Sequence, residues 1–193
     1  MIPHDFVAKW RQATLKERSA AQEHFIDLCR LLEEPTPAEV DPSGQRYCFE
    51  KGAKKTGGGD GWADVWKRGH FGWEYKGKGK DLDAALRQLQ LYALALESPP
   101  LLVVSDIDTI VIHTAFTGTV PETRRLTLDD VLLPDKRQWL KWAFSDPERL
   151  RPGQTREGLT AQAAARFADI AQILRERGHA PPAECHAGQR HGS

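Results

Sequence analysis

Between residues 61 and 76 apolar and charged side chains alternate with a period of two. Ala63, Val65, Phe71, Trp73 and Tyr75 fall on one side and Asp64, Glu74 and Lys76 on the other, as in strands half-buried against a core. Arg68-Gly69-His70 separates the two runs and carries the glycine of a three-residue hairpin turn. With that turn, facing positions have numbers that sum to 138, so Asp64 opposes Glu74 and Trp62 opposes Lys76. A one-residue slip would bury the charges and expose the aromatics, so the pattern holds its own register.

The period then changes to that of a helix. Leu82, Leu86, Leu89, Ala93 and Leu96 form a core-facing stripe over about residues 81–97, with Asp81 or Asp83 as cap. Gln88 and Tyr92, four apart, share a face beside that stripe. Upstream, residues 4–32 read as helical, with Phe25, Leu28 and Leu32 as the stripe, and the prolines from Pro35 to Pro42 end it. A strand near residues 46–51 precedes the hairpin. Residues 101–105 and 109–115 are apolar enough for interior strands, in which His113 and Phe116 read as packing residues. The order α, β, β, β, α, β, β predicts an α/β fold with a mixed central sheet flanked by helices.

Downstream, residues 127–144 read as short helices in which Trp139 and Trp142 close the core. Residues 147–157 read as a linker. A helix over residues 158–177 has Leu159, Ala163, Phe167, Ile170 and Leu174 on one side, and from Ala180 the composition predicts disorder. His179, Cys185, His186 and His191 in this region match no familiar zinc spacing. The expected organisation is a core of residues 1–146, the linker, a helical extension of residues 158–179 and a tail of residues 180–193.

The opposed pair carries the chemistry. Facing side chains on a hairpin have Cβ atoms roughly 4.5 to 5.5 Å apart. Two carboxylates that close repel, and a hard divalent cation such as Mg²⁺ between them removes the conflict. Lys76 lies about 7 Å along the strand from Glu74, placed to orient a water or to stabilise charge developing on a phosphoryl group. The plainer alternative is an exposed hairpin with Lys76 as an ion-pair partner, a solvated Gln88 and a half-buried Tyr92. Glu23, on the first helical region, reads as a surface residue. Lys54-Lys-Thr-Gly-Gly-Gly59 lacks the Gly-Lys-Ser/Thr ending of a phosphate loop and reads as a loop beside the site.

Asp64, Glu74-Tyr75-Lys76 and Gln88-x-x-x-Tyr92, in that order, resemble the PD-(D/E)XK nuclease pattern in its RecB-like form. The wider context extends the likeness. It runs from Phe6-Val-Ala-Lys-Trp10 through Glu23-His-Phe-Ile-Asp-Leu-Cys29, Phe49-Glu-Lys-Gly52, Lys55-Thr-Gly-Gly-Gly59 and Trp66-Lys-Arg-Gly-His70 to Leu101-Leu-Val-Val104. Over nearly all of residues 1–180 the chain is similar to the amino-terminal endonuclease domain of MmeI-like (type IIL) restriction-modification enzymes. The resemblance implies a restriction-endonuclease-like αβββαβ core and DNA cleavage dependent on Mg²⁺, with Mn²⁺ as a substitute. It makes Asp64 and Glu74 metal ligands, with Glu23 from the first helix as an alternative further ligand, Lys76 the catalytic lysine, and Gln88 and Tyr92 positioning residues for substrate or water. In that family the same polypeptide continues into a helical connector, an adenine-specific DNA methyltransferase using S-adenosylmethionine, and a target-recognition domain. Here Ala63 stands where the motif's name would put proline, a mild change because proline is no ligand. No methyltransferase motif is found, so S-adenosylmethionine would enter only through a domain or subunit outside this sequence.

Composition refines the picture. The chain has 193 residues, 40% of them hydrophobic, enough for one domain with a useful core. Formal net charge is zero, yet residues 51–80 hold eight basic against three acidic side chains. That local excess predicts contacts from Lys55, Lys67, Lys78 and Lys80 to the phosphates of double-stranded DNA, with tighter grip and sequence choice left to other domains. The absence of a long apolar run and the three cysteines, Cys29, Cys48 and Cys185, predict a cytoplasmic protein without membrane contact. A truncated product, a separately encoded subunit and an excised domain all fit. Two further readings are a catalytically silent remnant that docks on a methyltransferase and an anti-phage nuclease acting alone.

Overall fold

The alternating hairpin becomes the middle of a six-stranded sheet. Its strands are β1 (Tyr47–Lys54), β2 (Asp60–Lys67), β3 (Phe71–Tyr75), β4 (Leu101–Ser105), β5 (Thr109–Thr114) and β6 (Thr123–Thr127), lying side by side in sequence order. Neighbours run antiparallel except β3 and β4, which are parallel. A parallel pair needs a crossover, and α4 (Leu82–Leu91) supplies it. Every residue of β3 and β4 is buried, as expected where helices cover both faces. The predicted core order α-β-β-β-α-β and the mixed sheet are therefore present.

This computed structural model describes residues 1–13, 17–54 and 60–178. The chain divides into two compact units, Met1–Gly153 and Gln154–Ser193. In the first, α1 (Pro3–Gln12), α2 (Glu17–Leu32) and α5 (Pro134–Ser145) supply one side of the core. Phe25 of α2 sits among Tyr47, Phe49, Phe71, Trp73 and Phe144, with ring centroids 5.3–6.3 Å away. On the other face Leu82, Ala85, Leu89, Tyr92 and Leu96 pack on Trp66, Leu102 and Val104. Gly72 of β3 allows this close approach: a Cβ there would stand 3.3 Å from Leu96 Cδ1 and 3.5 Å from Leu89 Cδ1.

Several boundaries differ from expectation. The amino-terminal helical region is two helices, and a short α3 (Pro37–Val40), closed by a Thr36–Glu39 capping box, follows them. α4 ends at Leu91 instead of Glu97, because Tyr92 leaves helical geometry at φ −118°, ψ 14°; residues 92–97 continue as turns, closed where Glu97 and Ser98 adopt positive φ and the Ser98 N–H donates to the Ala93 carbonyl at 2.8 Å. Strand β6 was not anticipated, its Thr-Arg-Arg-Leu-Thr giving little apolar signal. Pro147–Leu150 is no linker: it forms a 3₁₀ turn whose Pro147 and Leu150 are buried.

The second unit is described through α6 (Arg156–Gly178), the helix expected at residues 158–177. Leu159, Phe167, Ile170 and Leu174 are 45–73% exposed. The expected tail at residues 180–193, with its cysteine and histidines, lies outside the described residues. No described helix is long and apolar enough to cross a membrane.

Candidate active site

The site forms where the β2–β3 ladder stops. Lys67, Trp66 and Val65 pair with Phe71, Gly72 and Trp73, the predicted register, and Gly69 takes the left-handed turn position at φ 69°. The next pair would be Asp64 and Glu74. Instead Oδ2 of Asp64 accepts the Tyr75 N–H at 2.6 Å, so a side chain closes the ladder in place of a backbone carbonyl.

This arrangement corrects the single charged face expected from strict alternation. Glu50 lies between the β1 residues that pair with Val65 and Ala63 and has φ 53°, a conformation rare for glutamate. Beyond it the facing changes on both strands: Phe49 and Val65 belong to the α2 side, whereas Ala63 packs on the α4 side and the Lys51 ammonium stands 4.3 Å from the Trp66 ring. Ala63 thus does not share a face with Val65 and Trp73. Asp64 instead lines a hollow of about 20 Å³ beside α2, together with Gln22, Glu50, Tyr75, Ala21 and Phe49. A space of that size suits a single water or ion.

The Glu74 carboxylate reaches α4, with the Asp64 charge near enough to act on it. Its Oε1 accepts from Lys76 Nζ at 2.8 Å and Gln88 Nε2 at 3.1 Å, and its Oε2 from the Tyr92 hydroxyl at 3.2 Å. Gln88 also lies 3.4 Å from Lys76 Nζ and 3.5 Å from the Tyr92 hydroxyl. The four residues therefore form one closed polar ring, and Tyr92 is wholly buried, not the half-solvated residue of the plainer reading. Asp81 fixes the start of α4 by accepting from the Asp83 and Ala84 amides at 2.9 and 3.0 Å. Burial first, and the neighbouring Asp64 charge second, push the Glu74 carboxyl up to about 7, against the opposing pull of Lys76 and Tyr92. The Tyr92 hydroxyl is raised by burial and by the Glu74 charge.

Other candidates go elsewhere. The Glu23 carboxylate is engaged by Lys9 at 2.6 Å, and the α2 residues lining the Asp64 hollow are Ala21 and Gln22. Lys67 donates to the Phe144 carbonyl at 2.7 Å, half-buried near Tyr47, so its ammonium does not join Glu74. Lys78 lies against Asp108 at 2.9 Å, Lys80 is exposed, and Lys55 lies outside the described residues. Phe116 is buried, as expected of a packing residue, whereas His113 is only partly buried, its Nδ1 2.9 Å from Thr123 Oγ1.

Two groups escaped sequence reading. Glu50 reaches the hollow through a backbone conformation that no local pattern signals. The buried Asp27, bonded to Lys9 at 2.6 Å, Trp10 at 3.2 Å and Arg30 at 3.1 Å, ties α1 to α2. Beside it His24 Nδ1 lies 2.8 Å from the Tyr75 hydroxyl, and burial pushes the imidazole down to about 3. Among the described residues no three His, Cys, Asp or Glu side chains group to hold a metal ion.

A cryo-EM structure of a DrdV–DNA complex is similar to this chain, at 19% identity and a TM-score of 0.44 over 74% of this chain and 97% of that one. No curated protein matches the sequence. The family model described as "MmeI, N-terminal domain" matches residues 1–177, and the chain belongs to that family.

Proposed function

We propose that this domain is the DNA-cleaving module of a restriction-modification enzyme, a Mg²⁺-dependent endonuclease of the PD-(D/E)XK kind acting on double-stranded DNA. The observation that carries the reading is the ring of Lys76, Gln88 and Tyr92 around the buried Glu74 carboxylate, with the Asp64 charge beside it. Burying a carboxylate next to another is costly for stability and favours a function at that point.

The donor set fits a hard cation. Asp64 and Glu74 offer carboxylate oxygens, and Mg²⁺ commonly takes one or two carboxylates and keeps several waters, so no cluster of three is required. When bound, such an ion lowers the pKa of water and offsets charge on the phosphoryl oxygens. Lys76, 26% exposed and 2.8 Å from Glu74, holds its ammonium where it can orient an attacking water and neutralise developing negative charge. Gln88 and Tyr92 hold Glu74 in one orientation and exclude solvent behind it. Target recognition and S-adenosylmethionine-dependent methylation would belong to a methyltransferase and recognition domain or subunit acting with this module.

The test is plasmid nicking by the full chain in Mg²⁺ or Mn²⁺ and in EDTA. The reading predicts metal-dependent nicking that Asp64→Ala abolishes; an undiminished rate in that variant would sink it. A docking module without cleavage is the second reading, favoured by the exposed Leu159, Phe167, Ile170 and Leu174 of α6. It predicts association with a methyltransferase and no nicking in any metal.

A further inference from the structure

Lys78 follows the hairpin in a basic run and reads from sequence as a contact to DNA phosphate. Its surroundings assign it another task. The segment from Lys76 to Lys80 leaves β3 without regular structure, and three of its residues bond to the end of β4 and the turn that follows it. The Lys76 N–H donates to the Ser105 carbonyl at 2.8 Å. The Gly79 N–H donates to Oδ2 of Asp106 at 3.0 Å, while Oδ1 of Asp106 accepts the Thr109 N–H at 2.8 Å. Lys78 completes the clamp: its ammonium pairs with Asp108 at 2.9 Å and donates to the Trp10 carbonyl at 3.2 Å.

The turn itself is rigidly specified. Ile107, a β-branched residue, is held at φ 77°, and its N–H donates to Ser105 Oγ at 3.1 Å. A conformation of this kind costs about 1 to 3 kcal/mol and persists only where the surroundings over-determine it. Two of the three donors on Lys78 are committed, one of them to a carboxylate that cancels its charge. A cation neutralised in this way attracts phosphate weakly; Lys78 and Lys80 are both exposed, and it is the pairing with Asp108 that sets Lys78 apart.

We infer that Lys78, Asp106 and Asp108 are positioning residues, which anchor the loop after β3 to the β4–β5 turn and so hold Lys76 against Glu74. This rests on the cleavage reading above, and it removes Lys78 from the phosphate contacts. Displacing a reacting group by about an ångström costs up to a hundredfold in rate.

The test compares cleavage rate at saturating DNA with the salt dependence of DNA binding, in the full chain. Loss of a phosphate contact lowers the slope of log affinity against log salt by about one. Lys78→Met and Asp108→Asn are each expected to slow cleavage about tenfold or more with the slope unchanged, and the double variant to be no slower than either. Lys80→Met is expected to lower the slope by about one. Asp108 is 49% exposed, so Asp108→Asn keeps the fold even where another variant does not. A slope lowered by about one in Lys78→Met, or wild-type rates in both single variants, overturns the assignment. If Lys76→Ala is inactive in the same experiment, that failure belongs to the assignment alone; if Lys76→Ala cleaves as wild type, the cleavage reading falls with it.

Discussion

The Tyr92 hydroxyl donates to Oε2 of Glu74 at 3.2 Å, joining the end of α4 to the middle of β3 across eighteen residues of sequence. Both groups are buried, so neither finds water when its partner is removed. Tyr92→Phe is expected to destabilise the protein by about 1 to 3 kcal/mol, the cost of a buried acceptor losing a donor. Urea unfolding measures it; an unchanged midpoint would show that the bond contributes nothing.

Two buried groups give the metal-free protein opposing pH dependences. The Glu74 carboxyl rises from 4.5 to about 7 on folding, so between those pH values the folded state keeps a proton that the unfolded state has lost. Stability from this group is full below pH 4.5 and falls as pH climbs to about 7, by up to about 1.4 kcal/mol per unit. His24 does the reverse: held neutral down to about pH 3, it contributes stability above pH 6.5 that is lost on acidification towards 3. The slopes cancel between pH 4.5 and 6.5, where the two windows overlap. Glu74→Gln should unmask the His24 slope, and its urea midpoint should climb with pH more steeply than that of the wild type. Parallel profiles would refute the assignment.

Gly72 couples packing to the site. A methyl group there meets Leu96 Cδ1 at 3.3 Å, on a residue whose backbone is held through its carbonyl by Trp66 Nε1 at 2.9 Å. Gly72→Ala should cost about 1 to 3 kcal/mol as overpacking. Through Leu89 of α4, whose Cδ1 would stand 3.5 Å away, it should also loosen Gln88 and Tyr92 from Glu74 and slow nicking beyond the loss of folded protein. A stable variant with wild-type nicking contradicts this coupling.

Phe25 tests the opposite face. Its ring stacks on Phe144 at 5.3 Å and meets Trp73 edge-on at 5.3 Å with no exposed surface. Phe25→Ala should destabilise by about 3 to 5 kcal/mol, read from chemical denaturation. A loss under about 1 kcal/mol would mean that the core collapses into the space.

The hairpin was legible because two independent periodicities met in it. A glycine turn set the register of Val65 against Trp73, and the helical spacing of Gln88 and Tyr92 put both over Glu74. The change of facing at Glu50 was not legible. A positive φ at a glutamate follows from the packing of both strands around it and leaves no trace in composition or spacing. The partners of Lys67 and Lys78 were hidden for a related reason: the Phe144 carbonyl lies 77 residues away and the Asp108 carboxylate comes from a distant turn. Charge counting found the lysines but not what holds them. Glu23 is exposed, and its bond to Lys9 is set by the fold, not by any local pattern.

Mn²⁺ titration by calorimetry, on the wild type and on the Asp64→Ala, Glu74→Ala double variant, followed by plasmid nicking in the same buffers, tests the central claim most directly. The account predicts that the wild type binds the ion and nicks DNA, and that the variant loses both while keeping its fold. A wild type that binds no metal, or a variant that nicks DNA at the wild-type rate, would contradict it.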